Sequence, residues 1–286
     1  MTLGKWIQGA EEALCASSCP DSALDAKLLA AGVLNLPFGN LRFYAERELS
    51  DAEENEMNAR LARRVSKEPL QYIENAAYFM GLCFYVDERV LIPRQDTETL
   101  CEAALDKIRH IKNPKILDMC TGSGALAVSL AHFRKDASVT AADISRDAID
   151  VAEKNARILN ARVRFVESDL FSALGNEAFD LIVCNPPYLT EDDMNELQDE
   201  VKREPALALF GGADGLLFYR RLAEGIKKHL APGGYALFEV GMGQARDVLE
   251  IMKTADMEEF GTIKDLCGVE RVVFIRRKEQ SIWKTD

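Results

Sequence analysis

A doubly wound, Rossmann-like α/β domain behind a small helical bundle and a hairpin linker is the fold that this 286-residue sequence predicts. Three observations carry that reading. Lys115-Ile116-Leu117-Asp118 reads as a short buried strand, Met119 to Gly124 as a glycine turn and Ala125 to Ala131 as a helix. Together they make the first unit of such a domain. From about Thr97 onward, strand-like and helix-like segments alternate, which is the signature of parallel βαβ units. Residues 1–75 lack that alternation and carry apolar residues at helical spacing instead.

In the front region, Leu3, Trp6, Ile7, Ala10 and Leu14 mark a first helix. Ala23 to Leu34 marks a second, stopped near Pro37 and Gly39. Ser50-Asp51-Ala52-Glu53 has the form of a capping box that opens a third helix toward Val65. Residues 76–92 read as a linker, with Tyr78-Phe79-Met80 and Leu82 to Val86 flanking Gly81 in a hairpin. Residues 93–286 form the main domain. Its helices are expected near 97–110, 146–159 (capped by Ser145) and 215–230. Its seven strands are expected at 115–118, 137–142, 163–166, 180–184, 235–240, 258–264 and 269–276. A bundle placed before such a domain is expected to recruit substrate, by analogy with other two-domain enzymes.

Composition narrows the function classes. Hydrophobic residues make up 48% of the chain, so a sizeable core is available. No apolar run approaches the ~20 residues that span a bilayer. Glu11 and Glu12 interrupt the start, so no signal peptide is expected. The seven cysteines are scattered without zinc spacing, as reduced cytoplasmic thiols are. Cys15 and Cys19 have a spacing that suits one helix face. His110, His132 and His229 fall in helical stretches away from the motifs, which argues against a histidine triad or a metal site. The net charge of −12 argues against a free-standing nucleic-acid binder, although a basic groove can sit within an acidic whole.

The most informative residues are Asn185-Pro186-Pro187-Tyr188, after the apolar run Leu181 to Cys184. Two prolines lock φ and donate nothing, and the residues before them are pushed toward extended geometry. The result is a stiff, acceptor-rich turn closed by an aromatic ring. It suits a planar NH2 group, whose protons the acceptors take and whose plane the ring covers. A methyl donor bound nearby would make this a device for methylating a planar nitrogen. The turn at Gly122 and Gly124 allows close backbone approach to such a donor. Asp143, at the end of the next strand, lies where a ribose diol is held by two hydrogen bonds. Asp118 is placed to meet the donor's amino group through backbone or water. Gly122-x-Gly124-x-x-Ala127 also fits a nicotinamide dinucleotide fingerprint. That reading accounts for neither Asp118 nor the tetrapeptide.

Other residues stay open at this level. Cys120 reads as a small apolar wall. Arg94 and Glu98 read either as catalytic or as a surface helix start with a salt bridge. Glu239, at a strand end, reads either as a site wall or as a capped carboxylate, the second being preferred. The acidic run 191–204 reads as a solvated helix face that also steers a basic partner.

Taken together, these pieces resemble the HemK/PrmC family of release-factor glutamine N5-methyltransferases, over nearly the whole chain. The motifs that carry the resemblance are Glu68-Pro69-Leu70-Gln71-Tyr72-Ile73, Val90 to Glu98 (with Pro93-Arg94-Gln95-Asp96-Thr97-Glu98), Leu117 to Gly124, the tetrapeptide, Glu204 to Leu209 and Gly211 to Leu216. The tetrapeptide alone is shared with DNA adenine and some RNA methyltransferases. Its combination with the Pro-Arg-x-x-Thr-Glu segment is more specific. Cys120 stands where many relatives have Gly, and Leu170 where an aromatic residue flanks the adenine.

The resemblance implies a seven-stranded methyltransferase sheet and a cytoplasmic, S-adenosyl-L-methionine-dependent enzyme that releases S-adenosyl-L-homocysteine and uses no metal. It implies that Cys120, Thr121, Gly122, Ser123 and Gly124 cradle the donor's methionine moiety. Asp143 binds the ribose, and Asp169 with Leu170 flanks the adenine. Asn185 and the Pro186 carbonyl bind the target amide, with Pro187 and Tyr188 beside it. The substrate implied is the Gln of the Gly-Gly-Gln tripeptide in class 1 peptide chain release factors. A monomer is expected, with no membrane and no direct nucleic-acid partner. Two competing readings are an adenine-N6 or guanine-N2 nucleic-acid methyltransferase and a non-catalytic adenosylmethionine-binding scaffold.

Overall fold

The computed structural model describes residues 1–253 and 256–279. The chain divides into two compact units, Met1–Ala76 with Gln198–Arg203, and Ala77–Leu197 with Glu204–Asp286.

The first unit is helical. Helices α1 (Leu3–Ala16), α2 (Ser22–Leu34), α3 (Asp51–Val65) and α4 (Leu70–Glu74) are joined by a 3-10 turn at Phe38–Tyr44. Leu3, Trp6, Ala10 and Leu14 lie along one stripe of α1 and are buried with Ala26, Leu29, Ala30, Met57 and Ile73. Ser50 caps α3, and Glu53 returns a bond to the Ser50 N–H, completing the expected capping box. Arg64 is buried in this unit and pairs with Asp25 at 2.7 Å and Glu200 at 3.0 Å. The sequence reading missed α4 and the 3-10 turn, because one or two turns are too short to show a period. Cys15 and Cys19 do not share a helix face, since α1 ends at Ala16.

The second unit opens with the hairpin β1 (Ala77–Phe79) and β2 (Leu82–Phe84), paired antiparallel around Gly81. Then follow α5 (Asp96–Lys107), β3 (Lys115–Met119), α6 (Ala125–Phe133), β4 (Ser138–Asp143), α7 (Arg146–Ile158), β5 (Val163–Glu167) and β6 (Phe179–Cys184). The unit continues through α8 (Glu191–Asn195), α9 (Leu217–His229), β7 (Leu230–Glu239), α10 (Ala245–Met252), β8 (Met257–Lys264) and β9 (Glu270–Arg277). The seven strands form one sheet in the order β5-β4-β3-β6-β7-β9-β8. The β5 to β7 part is parallel, and β9 pairs antiparallel with both β7 and β8.

A parallel sheet covered on both faces needs continuously apolar strands. Leu181, Ile182, Val183 and Cys184 in β6 are fully buried, as are Ile116 and Leu117 in β3. Each such aliphatic side chain contributes roughly 1.5–3 kcal/mol on burial. Ser145 caps α7 through the Ala148 N–H, as its position predicts. His110 lies beyond the end of α5, not within a helix. Among the described residues, no helix is long and apolar enough to cross a membrane.

Candidate active site

The site grows from the register of β3 and β6. Met119 pairs with Cys184, so Cys120 and Asn185 are the first residues to leave two adjacent strands at the same level. Neighbouring strands lie ~4.8 Å apart. From β3 the chain crosses to β4 on one side, while β6 lies on the other. Ligands of open α/β sheets bind at such a switch point, beyond the carboxyl ends of the strands.

A cavity of about 290 Å³ opens there. Its wall includes Cys120, Thr121, Gly122, Ser123, Asp143, Asp169, Leu170, Asn185 and Pro187 from the sequence-predicted set. Asp118, Gly124, Pro186 and Tyr188 lie outside that wall. The sequence reading did not assign Val90, Leu91, Thr97, Leu126, Phe218 or Arg221 to the site, and all of them line it.

The turn after β3 is built by left-handed backbone at Cys120 (φ 60°), Gly122 (φ 53°) and Gly124 (φ 80°). At Gly124 a side chain would also place its Cβ 2.9 Å from the Ala152 Cβ on α7. Asp118 is fully buried behind this turn. Its Oδ2 accepts the Thr121 hydroxyl at 2.6 Å and the Ala127 N–H at 3.0 Å. Oδ1 has no partner among the described residues. Burial pushes the Asp118 carboxyl up to about 7, with nearby Asp143 adding to the rise. Asp118 thus braces the turn and the start of α6 from below.

Asp143 reaches the cavity. Its Oδ2 accepts the Gly122 N–H and its Oδ1 the Ser145 N–H, both at 2.9 Å. A carboxylate has about four acceptor positions, so two remain for ligand hydroxyls. Burial raises its pKa as well. At the far edge, both Asp169 oxygens accept from Arg221 at 2.8 Å. Leu170 holds a left-handed φ of 48° and is buried.

The tetrapeptide turn is held from several sides. The Asn185 amide nitrogen donates to the Thr97 hydroxyl at 3.2 Å. The Tyr188 carbonyl accepts from the Gln244 side chain at 3.0 Å. Leu189 and Phe210 form a parallel bridge. Gly211 is obligatory in this contact, because a Cβ there would lie 2.6 Å from the Tyr188 Cα.

Arg94 makes a salt bridge, one of the two roles its sequence context offered, with a partner distant in the chain. Arg94 pairs with Glu204 at 2.5 Å, and Glu204 also accepts the Ile92 N–H at 3.0 Å. That ion pair ties one wall of the cavity, Val90 to Arg94, to another at Pro205 to Ala208. Glu98 instead accepts the Met80 N–H at 2.6 Å. The acidic run 191–204 is not one solvated helix. Only Glu191–Asn195 is α-helical, and Glu204 is buried. Glu239 does not line the cavity. It is buried at the end of β7, and its Oε2 has no partner among the described residues. Burial raises its pKa to about 7, against the opposing effects of the Thr97 and Tyr188 hydroxyls and Arg271. No local signal marks Thr97, Glu204 or Glu239, because their partners lie far away in the sequence.

Whether the wall suits adenosylmethionine follows from its chemistry. It offers a glycine turn with exposed backbone, a carboxylate with spare acceptor capacity, and an apolar patch of Val90, Leu91, Leu126 and Leu170. These match an amino-acid moiety, a ribose and a purine ring respectively. Fold and cavity define the class, an adenosylmethionine-dependent methyltransferase.

Residues 96–208 match the methyltransferase small domain and residues 5–74 the PrmC N-terminal domain. The chain is 41% identical over 279 residues to the release factor glutamine methyltransferase of Koribacter versatilis, covering 97% of this chain and 99% of that one. It is 38% identical over 273 residues to that of Geobacter sulfurreducens, covering 95% of each chain. A methyltransferase structure from Pyrococcus furiosus superposes with a TM-score of 0.52 at 19% identity, covering 78% of this chain and 98% of that one, a likeness of fold. The chain belongs to the release factor glutamine methyltransferase family.

Proposed function

We propose that this protein transfers the methyl group of S-adenosyl-L-methionine to the side-chain amide nitrogen of the Gln in the Gly-Gly-Gln tripeptide of class 1 peptide chain release factors. The observation that carries the reading is the emergence of the Cys120–Ser123 turn and Asn185 side by side into one cavity. The Asn185 nitrogen is already engaged by Thr97, which leaves Oδ1 as its free acceptor.

An amide nitrogen is a poor nucleophile, because its lone pair is delocalised into the carbonyl. Asn185 Oδ1 and the Pro186 carbonyl each accept one of its protons and so hold the NH2 plane. Both bonds add electron density at nitrogen. Pro187 keeps the turn stiff, and the Tyr188 ring covers the amide. Orientation of this kind is worth ~7–11 kcal/mol of the barrier. Asp143 takes the ribose hydroxyls, Cys120 to Gly124 the amino-acid moiety, and Asp169 with Leu170 the adenine edge and face. When bound there, adenosylmethionine supplies an electrophilic methyl group on a cationic sulfur. The apolar wall excludes water, and a dry site favours loss of that charge. The displaced amide proton is released to solvent.

In this reading the helical front unit recruits the release factor, and the enzyme works as a cytoplasmic monomer. The test is single-turnover transfer from labelled donor to a purified release factor and to its Gln→Glu variant, followed by peptide mass mapping. Label on the tripeptide Gln, absent from the variant, is the expected result. Asn185→Ala should lower turnover by ~100-fold or more while changing donor affinity little. Labelling of the Gln→Glu variant at the same site would refute the assignment.

A further inference from the structure

A purine is a flat ring with two π faces and a polar edge. Aromatic side chains stack on such faces and gain beyond the apolar area they bury. Among the described residues, Phe218 is the one aromatic side chain in the wall of the cavity. It lies in the first turn of α9 and is half-buried. No other aromatic ring among the described residues pairs with it.

The packing of α9 decides which end of the cavity Phe218 reaches. Phe218, Arg221, Gly225 and His229 recur at helical spacing and share one face of α9. At the end of that face, His229 stacks on Phe171, with ring centroids 4.8 Å apart and planes 12° apart. One turn back, Gly225 leaves room for the same ring, since a Cβ there would run into it. One further turn back, Arg221 donates to both Asp169 oxygens at 2.8 Å. Stepping toward the start of α9 therefore moves from Phe171 to Asp169. Phe218 is the next step, ~4.5 Å farther along the axis, past Asp169 and into the cavity wall. Its ring centroid stays 5.9 Å from the Arg221 guanidinium carbon. The segment that α9 follows is held in place. The Ser168 hydroxyl donates to the Leu170 carbonyl at 2.5 Å and accepts the Ala173 N–H at 3.0 Å. Asp169 and Leu170 thus present an acceptor and an aliphatic surface at this end of the cavity. Each Asp169 oxygen keeps lone-pair capacity beside its bond from Arg221. An exocyclic amine and a ring face are what such an end takes.

We infer that Phe218 is a donor-binding residue whose ring stacks on the adenine of adenosylmethionine, at the cavity end formed by Asp169 and Leu170. The inference rests on the donor site proposed above. It adds a contact from α9, which none of the sequence motifs covers. Arg221 and Gly225 set the register that brings the ring there.

The experiment titrates S-adenosyl-L-homocysteine and adenosine, separately, into full-length wild type, Phe218→Leu, Phe218→Trp and Asp143→Ala by calorimetry. Leucine keeps an apolar side chain and removes the ring. Stacking predicts that Phe218→Leu weakens both probes by a common factor of ~3–10. Phe218→Trp keeps a ring and should hold both affinities within about threefold of wild type. Its added indole emission should be quenched on saturation with S-adenosyl-L-homocysteine, against a wild-type background. Unchanged affinities in Phe218→Leu would overturn the inference, because they would reduce Phe218 to a packing residue of the adjoining core. A loss confined to S-adenosyl-L-homocysteine would also overturn it, by placing the ring on the amino-acid moiety. So would wild-type probe affinity beside a raised KM for a purified release factor, which would place the ring on the protein substrate. If the unfolding midpoint shows that leucine damages the fold, quenching in Phe218→Trp decides, and emission indifferent to the probe would overturn the inference. An unaffected Phe218→Leu beside a weakened Asp143→Ala would sink this inference alone. Wild-type affinity in both would sink the donor-site reading with it.

Discussion

Replacing Asp143 by Ala tests the donor site most directly. The Asp143 carboxylate serves two roles in one place. It accepts the Gly122 and Ser145 N–H groups, each at 2.9 Å, and it faces the cavity with acceptor capacity left over. The first role shapes the empty turn, and the second is realised only when a ribose is present. Hydrogen bonds to a charged group contribute about 1.5–3 kcal/mol each, and stranding a buried donor costs ~1–3 kcal/mol. Alanine leaves two N–H groups and the ligand diol without partners. Part of the N–H loss falls on the free enzyme as well and cancels in binding. The net weakening of donor binding should therefore be about 1.4–2.8 kcal/mol, or ~10–100-fold in Kd. Asparagine should be nearly as damaging, because its NH2 would oppose one of the two backbone N–H donors. The assay is titration calorimetry with S-adenosyl-L-homocysteine on wild type, Asp143→Ala and Asp143→Asn, with the unfolding midpoint measured in parallel. Wild-type affinity in Asp143→Ala would refute the reasoning, as would an Asp143→Asn variant indistinguishable from wild type.

Arg94→Ala strands the buried Glu204 carboxylate. Because Arg94 is itself partly exposed, the cost should be about 1–3 kcal/mol, and Glu204→Gln in that background should recover part of it in denaturant titrations. Asp118 and Glu239 are both raised from ordinary carboxylate values, 3.8 and 4.5, to about 7. The folded state therefore holds these protons more tightly than the unfolded state. Their contribution is full below about pH 4 and is lost as pH rises to 7. Chemical denaturation at pH 4.5, 6 and 7.5 should then show a shallower fall in Glu239→Gln than in wild type, and equal slopes would count against it. A chain beginning at Asn75 should keep affinity for S-adenosyl-L-homocysteine yet methylate an intact release factor far more slowly. Circular dichroism must first establish that it folds, and a full-length rate would end the recruitment idea. Tyr188→Phe should be mild and Tyr188→Ala severe in single-turnover transfer, since covering an amide needs the ring and not the hydroxyl; equal effects would contradict that role.

Much of this was written in local sequence. The glycine turn between Asp118 and Ala125, the capping box at Ser50, the Ser145 cap and the stiffness of Asn185-Pro186-Pro187-Tyr188 arise between residues a few positions apart. Backbone sterics and side-chain chemistry decide such features before any tertiary contact forms. The apolar runs of β3 and β6 likewise announce strands buried on both faces. What they do not announce is their mutual register. That Met119 lies beside Cys184, and so that Cys120 and Asn185 open into one cavity, depends on how helices α5, α6 and α7 pack around the sheet. The same holds for Glu204 on Arg94, for Gly211 against Tyr188, and for Thr97 beside Asn185. An acidic residue in isolation reads as a surface charge, because solvation is its cheapest fate. Only the closed fold removes the water from Glu204, Glu239 and Asp118, and that desolvation turns three ordinary carboxylates into buried groups behind the cavity wall.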